Sequence, residues 1–153
     1  MYRIHQVKLS EAVYDFVNGP EGGHTKTAEK FPEYNTHMEV MHRGSKGYTP
    51  EMFAHYTQVC VVKDFDGSTL EHVFKILNGY YFDEDTDTDE WFDAFVYGFK
   101  LRTITRKNGE VVTYRDMHSL SVGDIVEDTS TGEFHMVDGM GFKQIETKSL
   151  EVA

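Results

Sequence analysis

The densest group of chemically capable residues lies in an acidic stretch at residues 80–95. Its sequence, YYFDEDTDTDEWFDAF, contains seven acids and no base, with aromatic residues at both ends. Such carboxylates could bind a divalent cation, contact a basic protein, imitate the charge of nucleic acid, or simply face water. We predict a partner-binding segment, whose residues are Asp83, Glu84, Asp85, Asp87, Asp89, Glu90 and Trp91.

The spacing of these acids argues against a calcium site. An EF-hand loop needs glycine at its sixth position and a bidentate glutamate at its twelfth. Counted from Asp83, those positions hold Thr88 and Ala94. Counted from Asp85, the sixth and twelfth positions hold Glu90 and Val96, so this count fails as well. The sequence therefore predicts no dedicated metal site here, and charge runs of this kind are most often solvated.

The histidines and the single cysteine form no catalytic or metal-binding pattern. His37 and His42 are five residues apart, which matches neither one face of a helix nor one face of a strand. The chain lacks CxxC, HExxH, GxSxG, P-loop and GxGxxG motifs. Cys60 lies in an apolar run, which predicts a buried and inert thiol. We expect no cofactor, no metal, no catalytic residue and no enzymatic activity.

A basic segment follows the acidic stretch. The sequence LRTITRKNGEVVTYRD places Asn108 and Gly109 between two β-rich runs, which is typical of a hairpin. With a two-residue turn, Arg102 would face Arg115 across the strands and the two would repel. Such a face would favour either open water or an anionic cover, and the acidic stretch could lie near it and offset the repulsion. The candidate anion-facing residues are Lys100, Arg102, Arg106 and Arg115.

Composition limits the classes of partner. The 153 residues carry 15 basic and 26 acidic side chains, a net charge of −11. This charge disfavours binding to nucleic acid or to anionic membranes and suits a partner with a basic surface. No apolar run approaches the ~20 residues of a membrane span, and the N-terminus lacks an apolar signal core. We therefore expect a cytoplasmic protein.

Hydrophobic periodicity predicts a single α+β domain with an antiparallel, β-rich C-terminal half and two or three short helices. A strand is expected over residues 2–9, followed by a helix that Ser10 caps and Asn18 ends. Residues 58–65 indicate a second strand, and Ser68 or Thr69 begins another helix. Residues 37–41 fit either a strand or a helical turn. Further strands are expected near 100–106, 111–115, 122–127 and 133–137.

The segment 117–145, MHSLSVGDIVEDTSTGEFHMVDGMGFKQI, has the pattern of a β-meander. Asp124 is interpreted as a structural residue that accepts local backbone hydrogen bonds. The segment resembles the YodL-like domains of small tailed-bacteriophage proteins, through residues 119–126 and 135–138 and through Gly141 and Phe142. Residues 79–116 look like an insertion in that pattern. The resemblance implies a phage origin and the host cytoplasm, and it transfers no reaction and no catalytic residue.

Three classes of function follow from these observations. The first is a phage accessory protein that binds a host or phage protein with a basic surface, including one that inhibits its target. The second is a nucleic-acid-binding β module that uses the Arg-rich hairpin. The third, a small enzyme or metalloprotein, ranks last, and a virion-associated structural role stays open.

Overall fold

The structure, a computed structural model, describes residues 1–65, 67–78 and 88–147, apart from the side chains of residues 88, 89 and 91. The strands are β1 (Tyr2–Val7), β2 (Tyr56–Val62), β3 (Val96–Tyr97), β4 (Leu101–Thr105), β5 (Val111–Arg115), β6 (Ile125–Asp128), β7 (Glu133–Asp138) and β8 (Gly141–Ile145). The α-helices are α1 (Glu11–Val17), α2 (His24–Lys30), α3 (Pro32–Arg43), α4 (Leu70–Asn78) and α5 (Thr88–Phe95). Two 3₁₀ helices, Gly44–Gly47 and Pro50–His55, lie between α3 and β2.

Six strands form the main antiparallel sheet, in the order β3-β2-β1-β6-β7-β8. Both faces are covered, because consecutive residues of a strand point to opposite faces and are nevertheless both buried. Ile125 and Val126 show this on β6, and Met136 and Val137 show it on β7. One face packs on α4 and the other on α3 and the 3₁₀ segments. The predicted α+β class is confirmed.

Local signals account for several helix ends. Ser10 caps α1, and its Oγ accepts a hydrogen bond from the Val13 N–H at 3.4 Å. Pro50 lies in the first turn of the second 3₁₀ helix, where its missing N–H removes no bond. The ambiguous residues 37–41 are helical and belong to α3. Helix α4 buries Val73, Ile76 and Leu77 against the main sheet.

The C-terminal segment forms the predicted meander, in which β7 pairs with both β6 and β8. The first of its strands begins at Ile125, later than expected, because residues 121–124 form a tight turn closed by the Asp124 N–H on the Ser121 carbonyl at 3.0 Å. In the described part of the chain, no helix is long and apolar enough to cross a membrane.

The hairpin of β4 and β5 is confirmed, but its predicted register is wrong by one residue. Arg102 pairs with Tyr114, and Arg115 pairs with Leu101. The Arg106 N–H donates to the Glu110 carbonyl at 2.8 Å, so the loop has three residues, with Gly109 at φ +85°. A one-residue shift moves each β5 side chain to the other face. The predicted opposition of Arg102 and Arg115 therefore does not occur.

Candidate protein-interaction surface

Strands β4 and β5 form a two-stranded sheet of their own, separate from the main sheet. One face, here called the outer face, carries the side chains of Leu101, Thr103, Thr105, Val111, Thr113 and Arg115. Leu101 is 64% exposed and Val111 is 63% exposed, and both are large apolar side chains. The hydroxyls of Thr103 and Thr113 hydrogen-bond across the strands at 3.0 Å. Apart from Arg115 at its base, this face is uncharged and exposed to water.

The arginines proposed as anion-facing are engaged within the protein. Arg102 Nη2 lies 3.3 Å from Glu11 Oε1, and Arg106 Nη1 lies 3.5 Å from Glu110 Oε2. The Arg115 guanidinium stacks over the Phe92 ring at 3.7 Å. Lys100 is exposed beside the ion pair of Lys8 and Asp116 at the base of the hairpin. Because Arg115 lies on the opposite face from Arg102 and Arg106, the predicted single basic face does not form.

The predicted partner-binding acids lie largely beyond the described residues. Asp83, Glu84, Asp85 and Asp87 are all outside them. Asp89 and Trp91 belong to α5, whose backbone is described there without those side chains. Glu90, on the same helix, is exposed to water. Their role in partner binding stays a prediction.

A second group of polar residues surrounds Asp124, which is only 5% exposed. Its Oδ2 accepts hydrogen bonds from the Ser121 N–H at 2.9 Å and from Gln6 Nε2 at 3.2 Å. The bond from Ser121 confirms the expected local hydrogen bonding of Asp124. Gln6 also donates to the His118 carbonyl at 2.9 Å and accepts from its N–H at 3.2 Å. This amide therefore joins β1 to the loop before β6.

The same carboxylate borders a small cleft of about 30 Å³ that His37 and His118 also line. His118 Nδ1 lies 3.6 Å from Asp124 Oδ2. Burial raises the pKa of Asp124 to about 6, against the opposing effect of His118. Burial lowers the pKa of His37, and the neighbouring His118 and His42 lower it further. A space of this size suits a water molecule.

Sequence reasoning identified Asp124 but missed Gln6 and His118 as its partners. The available signal was the imperfect alternation of β1, in which a polar Gln6 stands between His5 and Val7. A buried glutamine requires hydrogen-bond partners, since leaving its amide unpaired costs about 1–3 kcal/mol. Which residues supply those partners depends on the pairing of β1 with β6, two strands that lie more than a hundred residues apart.

Metal and thiol chemistry find little support in the described residues. No group of three or more His, Cys, Asp or Glu side chains within them is placed to hold a metal ion. Cys60 is buried in β2, and burial raises the pKa of its thiol to about 12. A thiol with such a pKa is protonated at neutral pH and a poor nucleophile.

The fold and the exposed hairpin define a small α+β protein with a separate two-stranded sheet. No protein-family profile, curated protein or solved structure matches this chain. The resemblance to YodL-like phage proteins therefore remains an expectation from the sequence.

Proposed function

We propose that this protein is a phage-encoded accessory protein of the host cytoplasm. It acts by binding a host or phage protein with a basic surface. It contacts this partner through the outer face of the β4–β5 hairpin. Occupation of the partner's surface would allow inhibition without any chemistry. The resemblance stated above supports the phage origin, and the net charge of −11 supports a basic partner.

The exposed outer face is the observation that carries the proposal. A two-stranded sheet is marginally stable alone in water, and it gains stability when another surface covers its apolar side chains. Leu101 and Val111 expose large apolar areas on this face, between threonines that can hydrogen-bond a partner. Long-range attraction by the acidic chain would raise the association rate, and close contact by a face that is uncharged apart from Arg115 at its base would add affinity.

The geometry favours a protein partner over nucleic acid, the second candidate. A phosphate backbone is bound by several cations that act together on one surface. Here Arg102 and Arg106 are each paired with a glutamate, and Arg115 is stacked on Phe92 on the other side of the hairpin. Recruiting them to phosphates would first require breaking these contacts.

The test compares three immobilised proteins: the wild type, the double variant Leu101→Ser/Val111→Ser, and the control Tyr14→Gln, which removes a 51% exposed aromatic ring from α1. Proteins captured from a lysate of the phage host are identified by mass spectrometry, and the dissociation constant of each purified candidate is measured. We expect one partner that binds the wild type and the control equally. The double variant should bind it at least about tenfold more weakly, which corresponds to ~1.4 kcal/mol.

Two results would contradict the proposal. One is a partner whose affinity is the same for all three proteins. The other is capture of nucleic acid, with an affinity that falls steeply with salt and depends on Arg102 and Arg106. The second result would favour the nucleic-acid-binding alternative.

A further inference from the structure

Strand β5 has a free edge, which is the side of the strand that faces away from β4. The hairpin is a sheet of two strands, and in the described part of the chain no further strand pairs with either of them. Among the described elements, β4 and β5 make their main contacts with each other. All residues of β5 except Val112 are exposed to water. Within the described ranges, the free edge of β5 is therefore open to a further strand.

Two main-chain hydrogen bonds show which groups of β5 lie along this edge. The Arg106 N–H donates to the Glu110 carbonyl, and the Asp116 N–H donates to the Lys100 carbonyl, each at 2.8 Å. The register between these two bonds is continuous, so the even-numbered residues bond across the hairpin. In an antiparallel pair, the residues between them direct their N–H and C=O groups to the other side of the strand. On β5 the residues with these outward groups are Val111, Thr113 and Arg115.

The edge of β5 lacks the features that protect edge strands. Charged side chains, proline and bulges normally prevent an exposed edge from pairing with another chain. The register of the hairpin contains no bulge, and β5 has neither a charge nor a proline from Val111 to Tyr114. Its one charged residue, Arg115, stacks on Phe92 at the base of the hairpin. Strand β4, in contrast, carries Arg102 within it. Of the two edges of the hairpin, that of β5 is the less protected.

Local charge also distinguishes the two edges. Residues 100–106, around β4, carry three bases and no acid, whereas residues 110–116, around β5, carry two acids and one base. The acids Glu110 and Asp116 contact Arg106 and Lys8, so they act through the local sum of charge. A partner with a basic surface is therefore repelled less along β5 than along β4. A second copy of this chain also carries a net charge of −11, which opposes pairing between two copies.

We infer that the basic partner supplies an extended segment that adds to the free edge of β5 as a third strand of this sheet. In such strand addition, main-chain hydrogen bonds provide affinity and the alternate side chains provide specificity. The added strand would lie beside Val111 and Thr113 on the outer face, which favours β-branched residues in it. A third strand would also stabilise a sheet that is marginal with two. The inference rests on the proposed function, because it assigns a segment of the same partner.

The test uses a synthetic peptide and needs no identified partner. The probe is acetyl-Arg-Val-Thr-Val-Thr-Val-Arg-amide, whose β-branched residues favour an extended backbone and whose arginines supply the positive charge. It is titrated into the full-length protein while NMR follows hydrogen exchange of the backbone amides. The control peptide has the same sequence with N-methyl groups on its third and fourth residues. Because adjacent residues face opposite edges, these two methyl groups block both edges of the peptide.

The exchange pattern along β5 reports strand addition directly. In the free protein, the amides of Val112 and Tyr114 should exchange more slowly than those of Val111 and Thr113, which point to solvent. The peptide should protect the amides of Val111 and Thr113 in a saturable way, by at least about fivefold. Its dissociation constant should be on the order of millimolar for so small a probe. The outward amide of Thr103 on β4 should keep its rate, and the control peptide should protect none of them.

The variants Thr113→Pro and Thr103→Pro form a matched pair. These two threonines face each other and share one hydroxyl hydrogen bond, so each substitution removes that bond. Each also removes an N–H that points to a free edge, and proline is tolerated at such positions of edge strands. Thr113→Pro should abolish peptide binding, because it removes a donor and places a ring at the centre of the edge. Thr103→Pro should leave peptide binding unchanged.

Several results would overturn the inference. They are equal binding of the two peptides, protection of the β4 amides in place of those of β5, and the absence of saturable protection in the millimolar range. Equal effects of the two proline variants would contradict it as well. Protection that rises with protein concentration without peptide would assign the edge to a second copy instead. If a proline variant loses the slow exchange of Val112 and Tyr114, its hairpin has opened, and the comparison of the two peptides on the wild type decides.

Failure of this inference can be distinguished from failure of the proposed function. If the peptide does not bind while Leu101→Ser/Val111→Ser weakens the captured partner, the edge assignment is lost and the proposed function stands. If the peptide protects β5 while the double variant leaves capture unchanged, the free edge is retained and the outer face is removed from the proposed function.

Discussion

Asp124 keeps a carboxylate in the interior because β1 and its own turn provide donors for it. Gln6 and the Ser121 N–H both bind Oδ2, and both bonds can also be made to a protonated carboxyl group. Burial nevertheless disfavours the charge and raises the pKa of Asp124 to about 6, from an ordinary value of 3.8. A group whose folded pKa is raised contributes stability at low pH and loses it as pH rises.

The difference in unfolding free energy between the Asp124→Asn variant and the wild type should therefore depend on pH. Near pH 4 the wild-type carboxyl is largely protonated in the folded state, so it resembles the uncharged amide. Between pH 4 and about 6 the free energy of unfolding of the wild type should fall by up to about 3 kcal/mol relative to that of the variant. Above about pH 6 this difference should stay constant. Urea unfolding at several pH values measures this difference.

A difference between the two proteins that does not change with pH would contradict this expectation. Asp124→Ala provides the complementary measurement, because alanine removes the acceptor for Ser121 and Gln6. At pH 5 it should destabilise the protein by about 1–3 kcal/mol, without any specific loss of partner binding. A loss of binding at unchanged stability would show that Asp124 contacts the partner.

At the scale of elements, the β4–β5 hairpin depends on its loop. Gly109 has φ +85°, a left-handed conformation that disfavours any residue with a Cβ. The hairpin pairs with no other strand in the described ranges, so its opening need not disturb the main sheet. The local stability of the hairpin therefore depends in part on Gly109.

Gly109→Ala should destabilise the hairpin by about 1–2 kcal/mol. Hydrogen exchange of the β4 and β5 amides should accelerate by about 5- to 30-fold, while the β1 and β6 amides keep their rates. Gly139→Ala is the matched control, since Gly139 has no positive φ and open space around it. Equal acceleration in both sheets would show that the hairpin opens only with the whole fold.

At the scale of the whole molecule, charge is expected to guide association more than stability. Changing Asp83, Glu84, Asp85, Asp87, Asp89 and Glu90 to Asn or Gln removes six negative charges and changes the net charge from −11 to −11 + 6 = −5. Glu90, the member of this set whose side chain is described, is exposed to water, and charge runs of this kind are most often solvated, so cooperative unfolding should persist. Association with a basic partner should slow and become less sensitive to salt.

The control for this variant has the same net charge, because it neutralises six acids elsewhere: Asp15, Glu21, Glu29, Glu33, Glu51 and Glu133. Stopped-flow association rates at several salt concentrations compare the two. If both variants lose the same salt dependence, the total charge governs association and the acidic stretch has no special role. If neither variant differs from the wild type, the partner does not carry the predicted basic surface.

Features that depend on a few neighbouring residues could be predicted from the sequence. Ser10 begins α1, Pro50 begins a short helix, and the glycines of the C-terminal segment separate the strands of the meander. Each signal acts through a cap, a missing N–H or a permitted φ, and none needs a distant partner. The α+β class followed from these local signals because they appear in a mixed order along the chain.

The tertiary structure decided what depends on distant residues or on small energy differences. The hairpin loops of two and three residues differ little in local energy, yet the choice moves Arg115 to the face opposite Arg102. Residues 37–41 are helical within α3, which covers one face of the sheet. Gln6 meets His118 and Asp124 through strand pairing across 112 and 118 residues. Local preferences of about 1 kcal/mol cannot specify such contacts, because the burial of the whole core selects them.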